Sequence, residues 1–109
     1  MNDEGETWAG LPVVRKLDQV VARSRVIIEG TITAAGPSRL QGSRAYLVRI
    51  DDGHGKITLA FTGRSEVPGL VVGTSLRVTG TARLIEAGLF VFNPDYEILA
   101  PPMGQDPFL

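Results

Sequence analysis

The chain has no cysteine, which excludes a disulfide framework, thiolate metal sites and a cysteine nucleophile. Its one histidine, His54, has no second imidazole with which to build a histidine zinc site. Aromatic residues make up only 6% of the chain. No apolar run approaches the roughly 20 residues that a membrane-spanning helix needs. The opening Met-Asn-Asp-Glu-Gly-Glu is acidic, unlike the charged-then-apolar start of a secretory leader. A formal charge of -1 and a pI near 5.7 exclude a strongly basic arm that grips polyanions by charge alone. The expectation is a cytoplasmic domain with no cofactor and no metal.

What is present is one domain's worth of chain. With 109 residues, 43% apolar and 21% charged, it can bury a core. Three parts are distinguishable: a lead-in over 1–24, a folded body over 25–98 and a tail over 99–109. Pro101, Pro102, Gly104 and Pro107 argue against regular structure in the tail. Residues 25 to 92 carry a net charge of +3, the lead-in -1 and the end from Asn93 -3. A mildly basic body thus lies between acidic ends. In the lead-in, Val13, Val14, Leu17, Val20 and Val21 recur at i, i+1, i+4, i+7 and i+8. That stripe predicts a short helix with Pro12 in its first turn.

The body alternates with period 2. Val26, Ile28, Gly30 and Ile32 share one face, with Ile27, Glu29, Thr31 and Thr33 on the other. The same alternation recurs at Val48 and Ile50; at Ile57, Leu59 and Phe61; at Leu76, Val78, Gly80, Ala82 and Leu84; and at Leu89 and Val91. These are half-buried antiparallel strands. Turns are predicted at Gly36-Pro37-Ser38, Asp52-Gly53-His54-Gly55, Val67-Pro68-Gly69 and Glu86-Ala87-Gly88. About five strands in one small domain favour closure, because an open sheet leaves unpaired edges. Gly30 and Gly80, midway along two long strands, suit the coiling that closure demands. The expected fold is all-β, a five-stranded Greek-key barrel of the OB type.

The order of pieces carries a resemblance. Val-Ile-Ile-Glu-Gly-Thr-Ile (26–32), then Val-Arg-Ile-Asp-Asp-Gly-His-Gly-Lys-Ile-Thr-Leu-Ala-Phe (48–61), then Val-Pro-Gly-Leu-Val-Val-Gly-Thr-Ser-Leu-Arg-Val-Thr-Gly-Thr-Ala (67–82) resemble OB-fold nucleic-acid-binding domains. The closing Asn-Pro-Asp-Tyr-Glu-Ile-Leu (93–99) is similar to the end of the wedge domain of RecG-type branch-migrating helicases. OB domains that bind tRNA anticodons are wider relatives. The chain departs from the helicases in having no motor, and from the family in its scarcity of aromatics.

The resemblance implies a ligand lying across the second and third strands, between the loop joining strands one and two and the loop joining four and five. Arg49, Thr58, Ala60 and Thr62 take the outward phase there, with Lys56 and Arg64 at the strand ends. The first loop, expected over 35–43, offers Arg39, with Arg44 following; Arg83 lies near the four-five loop. These six basic groups could track a phosphate backbone, releasing a counterion per phosphate neutralised. Phe90 is the best candidate for base stacking, since Leu89 and Val91 take the core phase. Phe92 shares its phase at the strand's end. Phe61 and Tyr46 fall in the inward phase, and Tyr96 is expected against the barrel's open end. Trp8 lies outside the body, as a surface dock or a partner contact.

Asp51-Asp52-Gly53-His54-Gly55 invites a catalytic reading, but adjacent strand residues point to opposite faces, so Asp51 and Asp52 make a poor acid–base pair. Asp-Gly with a following Gly is hairpin chemistry. The run from Gly69 to Gly73 lacks the Gly-Lys-Ser/Thr ending of a phosphate loop. The expectation is a binding protein, not an enzyme. Its ligand would be single-stranded or branched nucleic acid, DNA ahead of RNA, read with little sequence specificity. The alternative is an adaptor for a protein partner through the acidic lead-in or the Pro-rich tail. An apolar patch through Ile27, Leu47 or Val72 would favour that reading or a homodimer. Nine arginines against two lysines match a GC-rich bacterial genome. Arg49→Ala combined with Arg64→Ala is expected to weaken single-strand binding and flatten its salt dependence; an unchanged salt slope removes both residues from the interface.

Overall fold

A computed structural model describes residues 7–8, 11–12, 16–17 and 20–102. In chain order its strands are β1 (Thr7–Trp8), β2 (Leu11–Pro12), β3 (Arg25–Leu40), β4 (Ser43–Asp51), β5 (Lys56–Thr62), β6 (Ser75–Ile85), β7 (Gly88–Phe92) and β8 (Asp95–Ala100). β1 and β2 form a separate two-residue ladder. The other six form one sheet in the order β3-β4-β5-β7-β6-β8. An additional pairing of β3 with β6 bends the first five into a ring. Its slightest junction is the parallel β5–β7 pairing, three residue pairs long. β6 is the hub: one edge pairs with β3, while β7 and β8 take successive stretches of the other.

The period-2 pattern sorts residues as the sequence implies except at Leu84, which lies past the end of the core face and is exposed. Ile28, Ile32, Val48, Ile50, Leu59, Leu76, Val78 and Val91 are at most 1% exposed and form one core with Phe61 and Leu70. Burying an aliphatic side chain of this size contributes about 1.5–3 kcal/mol each. Tyr46 is buried too, its hydroxyl donating to the Leu70 carbonyl at 3.0 Å. Phe61 and Tyr46 are buried as their inward phase implies, and Tyr96, itself exposed, lies edge-on to Phe61 with ring centroids 5.8 Å apart. At Gly80 a Cβ would stand 2.5 Å from Val91 Cγ1, so β6 can pass β7 there only without a side chain.

Three expectations are not borne out. The helix predicted around residues 13–21 falls mostly outside the described residues, and those described show a single turn in which the Val20 N–H donates to the Leu17 carbonyl at 3.4 Å. Pro12 belongs to β2, and Val13 and Val14 lie outside the described residues. The Leu17 amide donates instead to Asp52 Oδ2 at 2.8 Å, while Leu17 itself enters the core and Val20 packs against it. Four valines among the five stripe residues add a β-branched preference against helix. Second, the loop expected over 35–43 is strand. β3 runs through Gly36-Pro37-Ser38 and pairs with β4 to the end, turning at Gln41–Gly42, whose φ angles are +53° and +82°. Positive φ at both central residues is the turn sense that matches strand twist. Beyond Thr31, β3 has β4 alone as a partner, and an edge tolerates Pro37's missing N–H. Third, β8 was not among the expected strands, and it reaches Leu99 and Ala100 in the segment read as irregular tail. No helix among the described residues is long and apolar enough to cross a membrane.

The Asp51–Gly55 stretch is a hairpin turn held by its own carboxylates. Asp51 Oδ1 accepts the Gly53 N–H at 2.6 Å, and Asp52 Oδ1 accepts those of His54 and Gly55 at 2.8 and 3.0 Å. Partial burial pushes the Asp52 carboxyl up, but the amides of Leu17, His54 and Gly55, with His54's charge, outweigh it and hold the group below its usual 3.8. A carboxyl depressed in the fold stabilises fully above its unfolded pKa, and that contribution is lost as pH falls through the folded value. Asp52→Ala is expected to cost about 1–3 kcal/mol at neutral pH and to remove part of the loss of stability below pH 3.8. Urea unfolding at pH 7 and at pH 3 checks both.

Candidate nucleic-acid interface

Directly opposed residues in a sheet project to the same face. Register therefore sets Ala34 of β3, Arg49 of β4, Thr58 of β5, Phe90 of β7 and Arg83 of β6 in one row across the barrel's outer surface. A groove of about 450 Å³ lies on this row, with Arg49, Thr58 and Phe90 on its floor. The β3–β4 ribbon forms one wall with Pro37, Arg39 and Leu40, and Ala87 of the β6–β7 turn lies opposite. The groove thus spans the second and third barrel strands between the two connections that the resemblance implies.

Phe90 is corrected in one respect. It takes the outward phase, but it is 4% exposed and is not part of the interior cluster. It stacks on Phe92 at 5.9 Å between centroids and 29° between planes. The Arg83 guanidinium caps Phe92 at 5.3 Å from the ring centroid, a cation–π contact. Phe90 is hence the apolar floor of the groove, walled in by the ribbon, and not a free-standing platform for a base.

The expected cations divide into two sets. Arg39 and Arg49 line the groove and Arg83 stands beside it, opposite Phe90 in register. Arg44 is exposed opposite Arg39 at the ribbon tip but does not line the groove. Lys56 is exposed two residues from Thr58 and opposite Asp51; Arg64 is exposed past the end of β5. Arg44, Lys56 and Arg64 are peripheral. Arg39 Nη2 donates to the Gly42 carbonyl at 2.8 Å, which steadies the ribbon tip. Among the described residues none of these six cations has a carboxylate partner, whereas Arg77 is held by Glu29 at 2.8 Å and Glu97 at 3.6 Å. Six cations without a counter-charge favour an external anion.

Sequence reasoning missed Pro37 and Leu40 as lining, because Gly36-Pro37-Ser38 reads locally as a turn, and it missed Ala87 of the β6–β7 turn. The signal was Gly42, suited to positive φ, between two stretches of matching length. It also missed Asn93, whose Oδ1 accepts the Thr62 N–H at 3.0 Å and whose Nδ2 donates to the Thr62 hydroxyl at 3.0 Å, tying the end of β7 to β5.

Solved structures share this fold, two of them as follows. One is RecG bound to a three-way DNA junction: TM-score 0.65, 20% identity, covering 84% of this chain and 13% of that one. The other is the OB domain of Ta0387 from Thermoplasma acidophilum: TM-score 0.61, 16% identity, covering 85% of this chain and 92% of that domain. The chain has an OB fold. It spans about an eighth of the length of the RecG chain and nearly all of the archaeal OB domain. No family model and no curated protein matches the sequence. In this OB barrel the outer-face Phe90 carries stability as well as groove shape. Phe90→Ala is expected to cost about 3 kcal/mol, while Phe90→Leu keeps most of the stability; chemical denaturation of both checks it.

Proposed function

We propose that this OB domain binds single-stranded nucleic acid in the groove over Arg49, Thr58 and Phe90, as a binding module and not as a catalyst. The observation that carries the reading is the set of unpaired arginines, Arg39, Arg49 and Arg83, converging on a groove with an aromatic floor. Cations at the walls follow a phosphate backbone, and Phe90 supports sugar and base edges without a hydrogen-bond code, so little sequence preference is expected. DNA stands ahead of RNA because one structure sharing the fold was solved on a DNA junction. Branched DNA is a second substrate form to test, and a cytoplasmic location belongs with this reading.

One observation favours a protein partner instead. β8 is an edge strand with Tyr96, Ile98 and Leu99 exposed, and Val71 and Val72 are exposed as well. That surface is distinct from the groove, so the two readings separate by mutation. The test is fluorescence anisotropy of a labelled mixed-sequence single strand of about 30 nucleotides, longer than an OB site, titrated at low and moderate salt. Saturable binding that weakens with salt, and weakens further for Arg49→Ala than for Arg64→Ala, supports the groove. No binding at low salt overturns it in favour of the β8 surface.

A further inference from the structure

The cationic track does not end at Arg83. Thr81 lies two residues before it on β6, hence on the same face, and is directly opposite Arg25, the first residue of β3. Arg25, Thr79, Thr81 and Arg83 line a second cleft of about 300 Å³, with Asn93 and Asp95 at its side. This cleft shares no lining residue with the groove, yet Arg83 is the register neighbour of the groove's Phe90. The two are therefore consecutive on one surface.

Charge pairing marks the cleft off from the rest of the β3–β6 outer face. Arg77, on the same face, is held by Glu29 and Glu97. Arg25 and Arg83 have no carboxylate partner among the described residues, although Asp95 borders the same cleft. Two guanidiniums with the Thr79 and Thr81 hydroxyls form a donor set suited to phosphate oxygens. From Arg49 to Arg83 is three strand spacings, about 14 Å, and from Arg83 to Arg25 roughly 8 Å more. That span suits one strand several nucleotides long, within the range of OB footprints.

We infer that the Arg25–Arg83 cleft is a second phosphodiester subsite, receiving the same strand that fills the groove, so that bound nucleic acid wraps over β7 and β6 onto the start of β3. This rests on the groove reading above. The test uses labelled deoxythymidine strands of about 5 and about 16 nucleotides with the wild-type chain, Arg25→Ala and Asp95→Asn. The short strand fits the groove alone, so Arg25→Ala leaves its affinity unchanged. For the long strand Arg25→Ala is expected to lose about 5- to 10-fold in affinity and to lower the salt slope by about 0.7, while Asp95→Asn tightens binding. Equal affinities for wild type and Arg25→Ala on the long strand overturn the subsite. So does an equal loss on both strands, which would make Arg25 part of the groove's general field. Failure of the wild-type chain to bind either length overturns the groove reading itself, a result distinct from both.

Discussion

At Gly80 the chain comes so close to Val91 that no side chain fits between them, and the barrel depends on this approach. β6 must hold β3 on one edge while β7 and then β8 take the other. A residue with a Cβ at Gly80 would push Val91 and Pro94 away, just where the partner changes from β7 to β8. Without β6 as a shared partner β3 has no second neighbour, and the sheet stays open with its core exposed. The same crowding brings the end of β7 against β5, where Asn93 bridges to Thr62.

Closure also decides what the outer surface can do. In a ring of strands every outward row is continuous, so side chains from β4, β5, β7 and β6 meet although 34 residues separate Arg49 from Arg83 in the chain. The interior takes the branched aliphatics, leaving the outward phase to Arg, Thr and Phe. Four of the acidic residues are engaged elsewhere: Glu29 and Glu97 on Arg77, and Asp51 and Asp52 on backbone amides of their turn and of Leu17. A chain of net charge -1 can thus present an uncompensated cationic face.

The alternation at Val26–Ile32, Val48–Ile50, Ile57–Phe61, Leu76–Ala82 and Leu89–Val91 made the barrel legible, because burial follows residue type when one face of each strand meets the core. Outward residues were legible in part for the same reason: Arg49 and Thr58 take the outer row, while Ala60, of the same outward phase, is buried. Two things were not. Whether an outward residue is exposed depends on what lies over it, and the wall beside Phe90 comes from a ribbon whose Gly36-Pro37-Ser38 reads locally as a turn. The docking of Leu17 depends on a partner 35 residues away, Asp52, whose carboxylate accepts the Leu17 amide. Local propensity carries no information on such a partner.

The short β5–β7 junction has a dynamic consequence. With three residue pairs it is the shortest pairing in the ring, and amides there are expected to exchange with solvent through local opening rather than global unfolding. Thr58 and Phe90, the floor of the groove, are opposed across that seam. A ligand seated on both spans the joint and holds it shut, so occupancy of the groove and closure of the barrel are thermodynamically linked. The least secure join in the ring is also the one that a bound strand would brace.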